Sequence, residues 1–272
     1  MPVSPIATSA ARRLLNLGSV SFLNARPLIY GLAEQPDLNL SLDVPSKLID
    51  GLRDRRFDVA LLPVIDYQRM DGLRVLPVGG IGCDGPTLTV RVFSHVAPRD
   101  ITSLACDPDS HTSVALARIV FDRLFDRRPE FLPLSEASNR PGEARLLIGD
   151  KVVCEEPAGF VHQLDLGGAW KELTGLPFVF AVWVARDDAE LGDLPQRLAS
   201  ARVAGLANLA ELIRRYAVPR GWPPGLALQY LSVYLKYEIG EKQIEAIGRF
   251  HQMAAEAGLV GAPAKPLRVH AL

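Results

Sequence analysis

The chain has 272 residues, and since domains typically hold roughly 100 to 150, two lobes are expected rather than one. A hydrophobic share of 48% with 22% charged is ordinary for a globular protein, and a chain of this length buries about 70 to 75% of its unfolded surface without staples. Basic and acidic side chains number 30 and 31, a formal charge of −1. That balance offers no whole-molecule attraction to nucleic acid or to an anionic membrane, so neither is an expected partner.

Cys83, Cys106 and Cys154 form an odd set without C-x-x-C spacing, which points to a reducing, cytoplasmic compartment. The opening MPVSPIATSAARRLLNLGSVSF places Arg12 and Arg13 after two prolines. It lacks the apolar run of about 7 to 15 residues that follows the charges in a secretory signal, and reads as a short disordered lead. No stretch approaches the ~18 to 20 uninterrupted apolar residues that span a bilayer.

Short apolar runs read as strands at Leu14–Phe22, Asn39–Val44, Val59–Val64, Leu73–Val78, Leu88–Ser94, Ile101–Cys106, Ala144–Gly149 and Phe178–Val184. Between them, Pro27 stands where a first-turn proline would, Ser46 is placed to cap a helix over Lys47–Arg55, and Ser110–Phe125 repeats Val114, Ala117, Phe121 and Leu124 at helical spacing. The alternation predicts an α/β fold with a largely parallel sheet. From Asp193 onward three helical stripes follow: Leu206, Leu209, Ile213, Tyr216; then Leu226, Tyr230, Val233, Tyr237; then Ile244, Ile247, Phe250, Ala254. Such stripes are core faces, so the tyrosines between 225 and 237 are expected in packing.

Gly80-Ile-Gly82-Cys-Asp-Gly85 matches G-x-G-x-x-G, but Pro86 and the β-rich TLTVRVF follow it instead of a helix, and it reads as a glycine-rich turn. No Walker A loop, H-E-x-x-H or G-x-S-x-G elbow occurs, and the five histidines show no metal-ligand spacing. No cofactor or metal is expected. Three polar turns remain where a strand hands over to a helix: Val20–Asn24, Val44–Lys47 and Asp109–Ser113. Such turns offer free N–H groups, hydroxyls and a helix dipole to an anion, at the sheet edge where α/β folds hold ligands. Plain helix capping is the competing reading for Asn24 and for the Ser110 turn.

Gly18-Ser-Val-Ser-Phe-Leu-Asn24-Ala-Arg-Pro-Leu28, Pro45-Ser-Lys-Leu-Ile-Asp50, Phe57-Asp-Val-Ala-Leu-Leu-Pro63, Ser110-His-Thr-Ser113, Leu147-Ile-Gly-Asp150 and Thr174-Gly-Leu-Pro-Phe-Val-Phe-Ala-Val-Trp183 strongly resemble the chorismate dehydratases of the futalosine route to menaquinone. The likeness runs from about Asn16 to Val184 in family order, with TGLPFVFAVW its most specific motif. It implies a type II periplasmic-binding-protein-like fold, a Venus flytrap with two crossing strands and a helical C-terminus. The crossings fall at Thr87–Ser94 and Phe178–Val184, with hinges near Thr87–Thr89 and Val184–Arg186. Lobe 1 is then 1–88 plus 184–272, and lobe 2 is 89–183.

The resemblance further implies that chorismate loses water to give 3-[(1-carboxyvinyl)oxy]benzoate, that the enzyme is a cytoplasmic hydro-lyase, and that the next enzyme of the route is a transient partner. Asn24 is the expected catalytic residue, orienting the reacting part while the enolpyruvyl group of the substrate takes the proton. Ser46, Thr89, Ser110, His111, Thr112, Ser113, Gly149 and Asp150 are the expected substrate contacts, Asp150 either as an acid or as a cap for the backbone after it. Thr89 replaces the usual serine, and Arg91 stands where the family has an aliphatic residue and is expected as a rim charge. Phe178 and Phe180 are expected in the core, with Trp183 open between core and site. The alternatives are 1,4-dihydroxy-6-naphthoate synthase of the same route, which would use a histidine base and keeps His111 in view, and a solute-binding protein for a small carboxylate. A sensory effector domain is disfavoured by the lack of a DNA-binding module.

Overall fold

The structure, a computed structural model, describes residues 13–107, 110–138, 140–154 and 159–271; the expected disordered lead over residues 1–12 and Asp109 of the third polar turn lie outside the described residues. In chain order, β1 (Leu15–Val20) runs into a 3-10 segment at Leu23–Ile29, then β2 (Leu38–Asp43), α1 (Pro45–Arg53), β3 (Val59–Pro63), a 3-10 segment at Val64–Arg69 and β4 (Leu73–Cys83). The chain passes to β5 (Val90–Ser94), β6 (Ser103–Cys106), α2 (His111–Phe125), β7 (Glu130–Pro133), β8 (Glu143–Ile148), α3 (Asp150–Cys154), β9 (His162–Asp165) and α4 (Leu166–Thr174). It returns in β10 (Phe178–Arg186) and ends in α5 (Leu194–Ala207), α6 (Leu209–Leu212), α7 (Pro224–Gln229), β11 (Leu235–Lys236) and α8 (Glu241–Glu256).

Two sheets result, ordered β11-β4-β10-β3-β1-β2 and β7-β6-β8-β5-β9. Pairing is parallel within each β–helix–β run, as for β1 with β2 and β3, and β6 with β7 and β8. Strands reached when the chain changes sheet pair antiparallel: β4 and β10 in the first, β5 and β9 in the second. The predicted parallel sheet is therefore two mixed sheets.

The chain leaves the first sheet through residues 84–89 and comes back through residues 175–177. One side chain ties the outgoing link to the helix that precedes the return. The Asp165 carboxylate accepts from the backbone N–H of Thr87 at 2.9 Å and Leu88 at 2.8 Å, and also caps α4 through Gly167 and Gly168. The second expected crossing is corrected here. β10 pairs with β3 and β4 from Phe178 to Arg186, so 178–184 belongs to the first sheet and 184–186 is clamped between neighbours rather than poised as a hinge.

The glycine run is a strand as far as Cys83, not a turn. A Cβ on Gly80 would lie 2.7 Å from the Ala181 carbonyl oxygen, and one on Gly82 would lie 2.7 Å from that of Phe178, so β10 could not pack this closely against side-chain-bearing residues. Only Gly85, with φ of 120°, lies in the following turn.

α5 packs against the 3-10 segment Leu23–Ile29, and Gly205 permits it: a Cβ there would sit 2.2 Å from the Pro27 carbonyl oxygen. The Tyr230 stripe departs from expectation. A π-turn at Tyr230–Tyr234 followed by β11 rotates Val233 out to 60% exposure, while Tyr230 and Tyr237 stay buried. Trp183 is fully buried in the core. Under α8, His251 donates from Nε2 to the Val64 carbonyl at 2.7 Å and receives Gln68 Nε2 at 2.9 Å on Nδ1. Burial pushes its pKa down to about 4. Among the described residues no helix is long and apolar enough to cross a membrane.

Candidate active site

Between the two sheets lies a cleft lined by residues of both, the kind of place where two-lobed α/β folds hold ligands. Most of its wall is apolar, including Phe22, Leu61, Ile81, Ile148 and Phe180. Polar groups enter at three places, and no carboxylate is among the lining residues described.

The first entry is Asn24. It sits inside the 3-10 segment directly after β1, whose N-cap is Phe22, so it is no helix cap. Its Oδ1 is buried and has no hydrogen-bond partner. A buried acceptor left unmade costs about 1 to 3 kcal/mol, which makes it a strong candidate for receiving a ligand's hydroxyl.

The second entry is the first turn of α2. Ser110 occupies the N-cap position, yet its side chain makes no capping bond, and its buried Oγ is likewise without a partner. Helical N–H groups in a first turn have no intrahelical acceptor and carry the positive end of the dipole, so they suit a carboxylate. Thr112 and Ser113 line the cleft; Thr112 Oγ1 donates to the Phe180 carbonyl at 3.2 Å. His111 Nδ1 lies 2.8 Å from Asp66 Oδ2. Asp66 is wholly buried and also holds Arg69 at 2.8 Å. With Nδ1 engaged, the other imidazole nitrogen is the one left to meet a ligand.

The third entry is Thr89 with Tyr230. Thr89 Oγ1 donates to the Tyr230 hydroxyl at 2.8 Å, linking the connection between the sheets to the C-terminal helices. Gly149, with φ of 60°, donates its N–H to the Thr89 carbonyl and lines the cleft beside them.

Asn24, Thr89, Ser110, His111, Thr112, Ser113 and Gly149 are thus brought together. Ser46 and Asp150 are not on the wall. Pro45 takes the first helical position, where its missing N–H costs nothing, so Ser46 falls inside α1 and Pro45 itself meets the cleft. Asp150 opens α3 and is engaged away from the cleft, accepting Trp222 Nε1–H at 2.9 Å with Arg220 Nε at 3.4 Å. Arg91 also points elsewhere, donating to Gln163 on β9. Phe178 is core, whereas Phe180 lines the cleft. Sequence reasoning missed Tyr230 and Asp66: one carried only a packing period, and the other no motif.

Two mixed sheets with a cleft between them, joined by two short links, define a periplasmic-binding-protein-like molecule. A Candida albicans protein described as having the generic periplasmic binding protein structural fold superposes with a TM-score of 0.62 at 11% identity, covering 95% of this chain and 98% of that one. The alkanesulfonate-binding protein SsuA from Xanthomonas axonopodis pv. citri gives 0.67 at 16% identity, over 94% and 97%. At such identities the likeness is one of fold.

Residues 15–256 match the family described as Menaquinone biosynthesis, and the chain belongs to it. The chorismate dehydratase of Thermus thermophilus is 28% identical over 248 residues, 83% of this chain and 89% of its own length. That of Campylobacter jejuni is 27% identical over 243 residues, 86% of this chain and 94% of its own.

Proposed function

We propose that the chain is a chorismate dehydratase, removing water from chorismate to give 3-[(1-carboxyvinyl)oxy]benzoate on the way to menaquinone. The observation that carries this reading is the pair of buried side-chain oxygens without partners, Asn24 Oδ1 and Ser110 Oγ, on two residues that line one mainly apolar cleft. Chorismate presents what they lack: a ring hydroxyl that donates to Asn24, and carboxylates for the Ser110–Ser113 turn.

The elimination takes the hydrogen from the ring carbon bearing the ether and the hydroxyl from its neighbour, and aromatisation drives it. Positioning and water exclusion are the main tasks left to the protein. No carboxylate lines the cleft among the described residues, so the enolpyruvyl carboxylate of the substrate serves as base, and Asn24 holds the hydroxyl in the eliminating geometry. Ser110 and Ser113, with the N–H groups of their helix, bind one carboxylate, and Thr112 joins them when its hydroxyl turns from the Phe180 carbonyl; His111, held by Asp66 through Nδ1, presents its other nitrogen at the same turn. Gly149 and Thr89 shape the far wall. The working units are two lobes built on the two sheets, the second bounded by the links at residues 84–89 and 175–177. Cys83, Cys106 and Cys154 are in no disulfide, which fits the cytoplasm, where the product would pass to the next enzyme of the route.

Mixing purified protein with chorismate and following the ultraviolet spectrum and the product mass tests the reading. A benzoate chromophore with the mass of one water lost is expected; binding without conversion would instead make the chain a carboxylate-binding protein.

A further inference from the structure

Tyr230 lies in a helical stripe that reads as core, yet its ring forms part of the cleft wall. Its hydroxyl oxygen receives the Thr89 hydroxyl at 2.8 Å, which leaves the phenolic proton to be given to something else. The ring is held from behind. Trp222 stacks on it with centroids 5.0 Å apart and planes at 21°, and Trp222 is itself fixed through Nε1–H to Asp150.

Burial pushes the phenol well above its ordinary pKa, while hydrogen bonding from Thr89 and Asn24 draws it partly back. The larger effect keeps the group protonated near neutral pH. The smaller one identifies the two neighbours that stabilise charge on this oxygen when its proton leaves. Thr112 already donates to a carbonyl, and a phenol is a stronger acid than any aliphatic hydroxyl on the wall.

Resting on the chorismate dehydratase reading, we propose that Tyr230 is a further catalytic residue, giving its phenolic proton to the ring hydroxyl as that hydroxyl departs. The ring C–H bond beside the ether breaks, its proton passing to the enolpyruvyl carboxylate and its electron pair becoming the third ring double bond. The neighbouring C–O bond breaks with its pair on oxygen, and the proton from Tyr230 completes a water molecule. The phenolate then recovers a proton from the enolpyruvyl carboxylic acid, so the sum is the aromatic dianion and one water. Asp150 and Trp222 are positioning residues for the ring.

Tyr230→Phe keeps the ring and its stack on Trp222, so folding is preserved and checked by the melting temperature. Loss of a general acid typically costs about 10² to 10⁴ in rate. Turnover of chorismate by Tyr230→Phe should fall at least ~100-fold with KM within about threefold of wild type. An analogue with fluorine in place of the ring hydroxyl leaves as fluoride without needing a proton, and there the variant should lose less than ~10-fold. Equal slowing on both substrates, or wild-type turnover by the variant, overturns the assignment. So does a His111→Gln variant that alone shows the substrate-dependent loss, which would give the proton to the imidazole. If wild type itself fails to convert chorismate, the function reading falls and takes this inference with it; wild-type conversion with an unaffected Tyr230→Phe removes the inference alone.

Discussion

Asn24 and Ser110 show how a single side chain separates a structural role from a chemical one. Ser110 stands at the N-cap of α2 without capping it, and Asn24, which reads as a cap in the sequence, lies inside its 3-10 segment. The Asn24 amide is expected to orient the departing hydroxyl, so Asn24→Ala should reduce kcat by roughly 100-fold or more while substrate still binds, as calorimetry of the variant would show. Full activity in that variant would remove Asn24 from the chemistry. The hydroxyls of Thr112 and Ser113 face a charged group in this account, and hydrogen bonds to charge are worth about 1.5 to 3 kcal/mol. The double variant Thr112→Val with Ser113→Ala should therefore raise KM by about tenfold or more with a smaller effect on kcat. An unchanged KM would mean that the hydroxyls only pack the start of α2.

The 3-10 segment carrying Asn24 is short and has no side-chain cap, so its position is set by what it packs against. That support is α5, at the point where Gly205 meets Pro27. Gly205→Ala forces backbone against a Cβ, and overpacking of this kind costs about 1 to 3 kcal/mol. The melting temperature should fall, and turnover should fall further than the small stability loss explains, because the displaced segment takes Asn24 with it. Wild-type kcat in a folded Gly205→Ala protein would show that Asn24 is located by β1 alone. Much of α1 and α2 was legible in the sequence from periodicity, and the helix starts were legible to within one or two residues. Ser46 looked like a cap because serine caps, but Pro45 fits the first helical position better and moves the start two residues ahead of the expected Lys47.

Across the whole molecule, the two sheets are tied by the links and by side-chain contacts. His111 with Asp66 and Thr112 with the Phe180 carbonyl join the two sides of the cleft, Thr89 ties the outgoing link to Tyr230, and Asp150 holds Trp222 away from the cleft. A ligand bridging Asn24 and the Ser110 turn interacts with both sides only when they are together, so it favours the closed arrangement. Small-angle scattering should show a smaller radius of gyration with a product analogue than without. Identical scattering under confirmed binding would indicate a preformed site. Stability against acid belongs to the same level. His251 has a folded pKa of about 4, below the unfolded value of about 6.5, so between these pH values the unfolded chain binds more protons. The stability is fully present above about pH 6.5 and is lost progressively as pH falls toward 4, by about 3 kcal/mol in all. Denaturant unfolding at several pH values should show this slope, and His251→Gln should flatten it; a slope that survives the replacement would assign it to other groups.

The α/β class, most strands, the helical tail and the three polar turns follow from local pattern alone, because alternation, helical spacing and turn chemistry act between near neighbours. Family motifs added the activity and most of the cleft residues. The sequence could not show which strands share a sheet: β10 read as a crossing, and its pairing with β3 and β4 joins residues far apart in the chain, from Phe178 with Cys83 to Ala185 with Val59. Gly80 and Gly82 looked like a turn for the same reason, since the carbonyls that exclude a side chain there lie on β10. Tyr230 is the clearest case. Its helical spacing is that of a packing residue, and only folding brings its hydroxyl to Thr89, 141 positions earlier, where burial holds its proton and the cleft gives that proton a use.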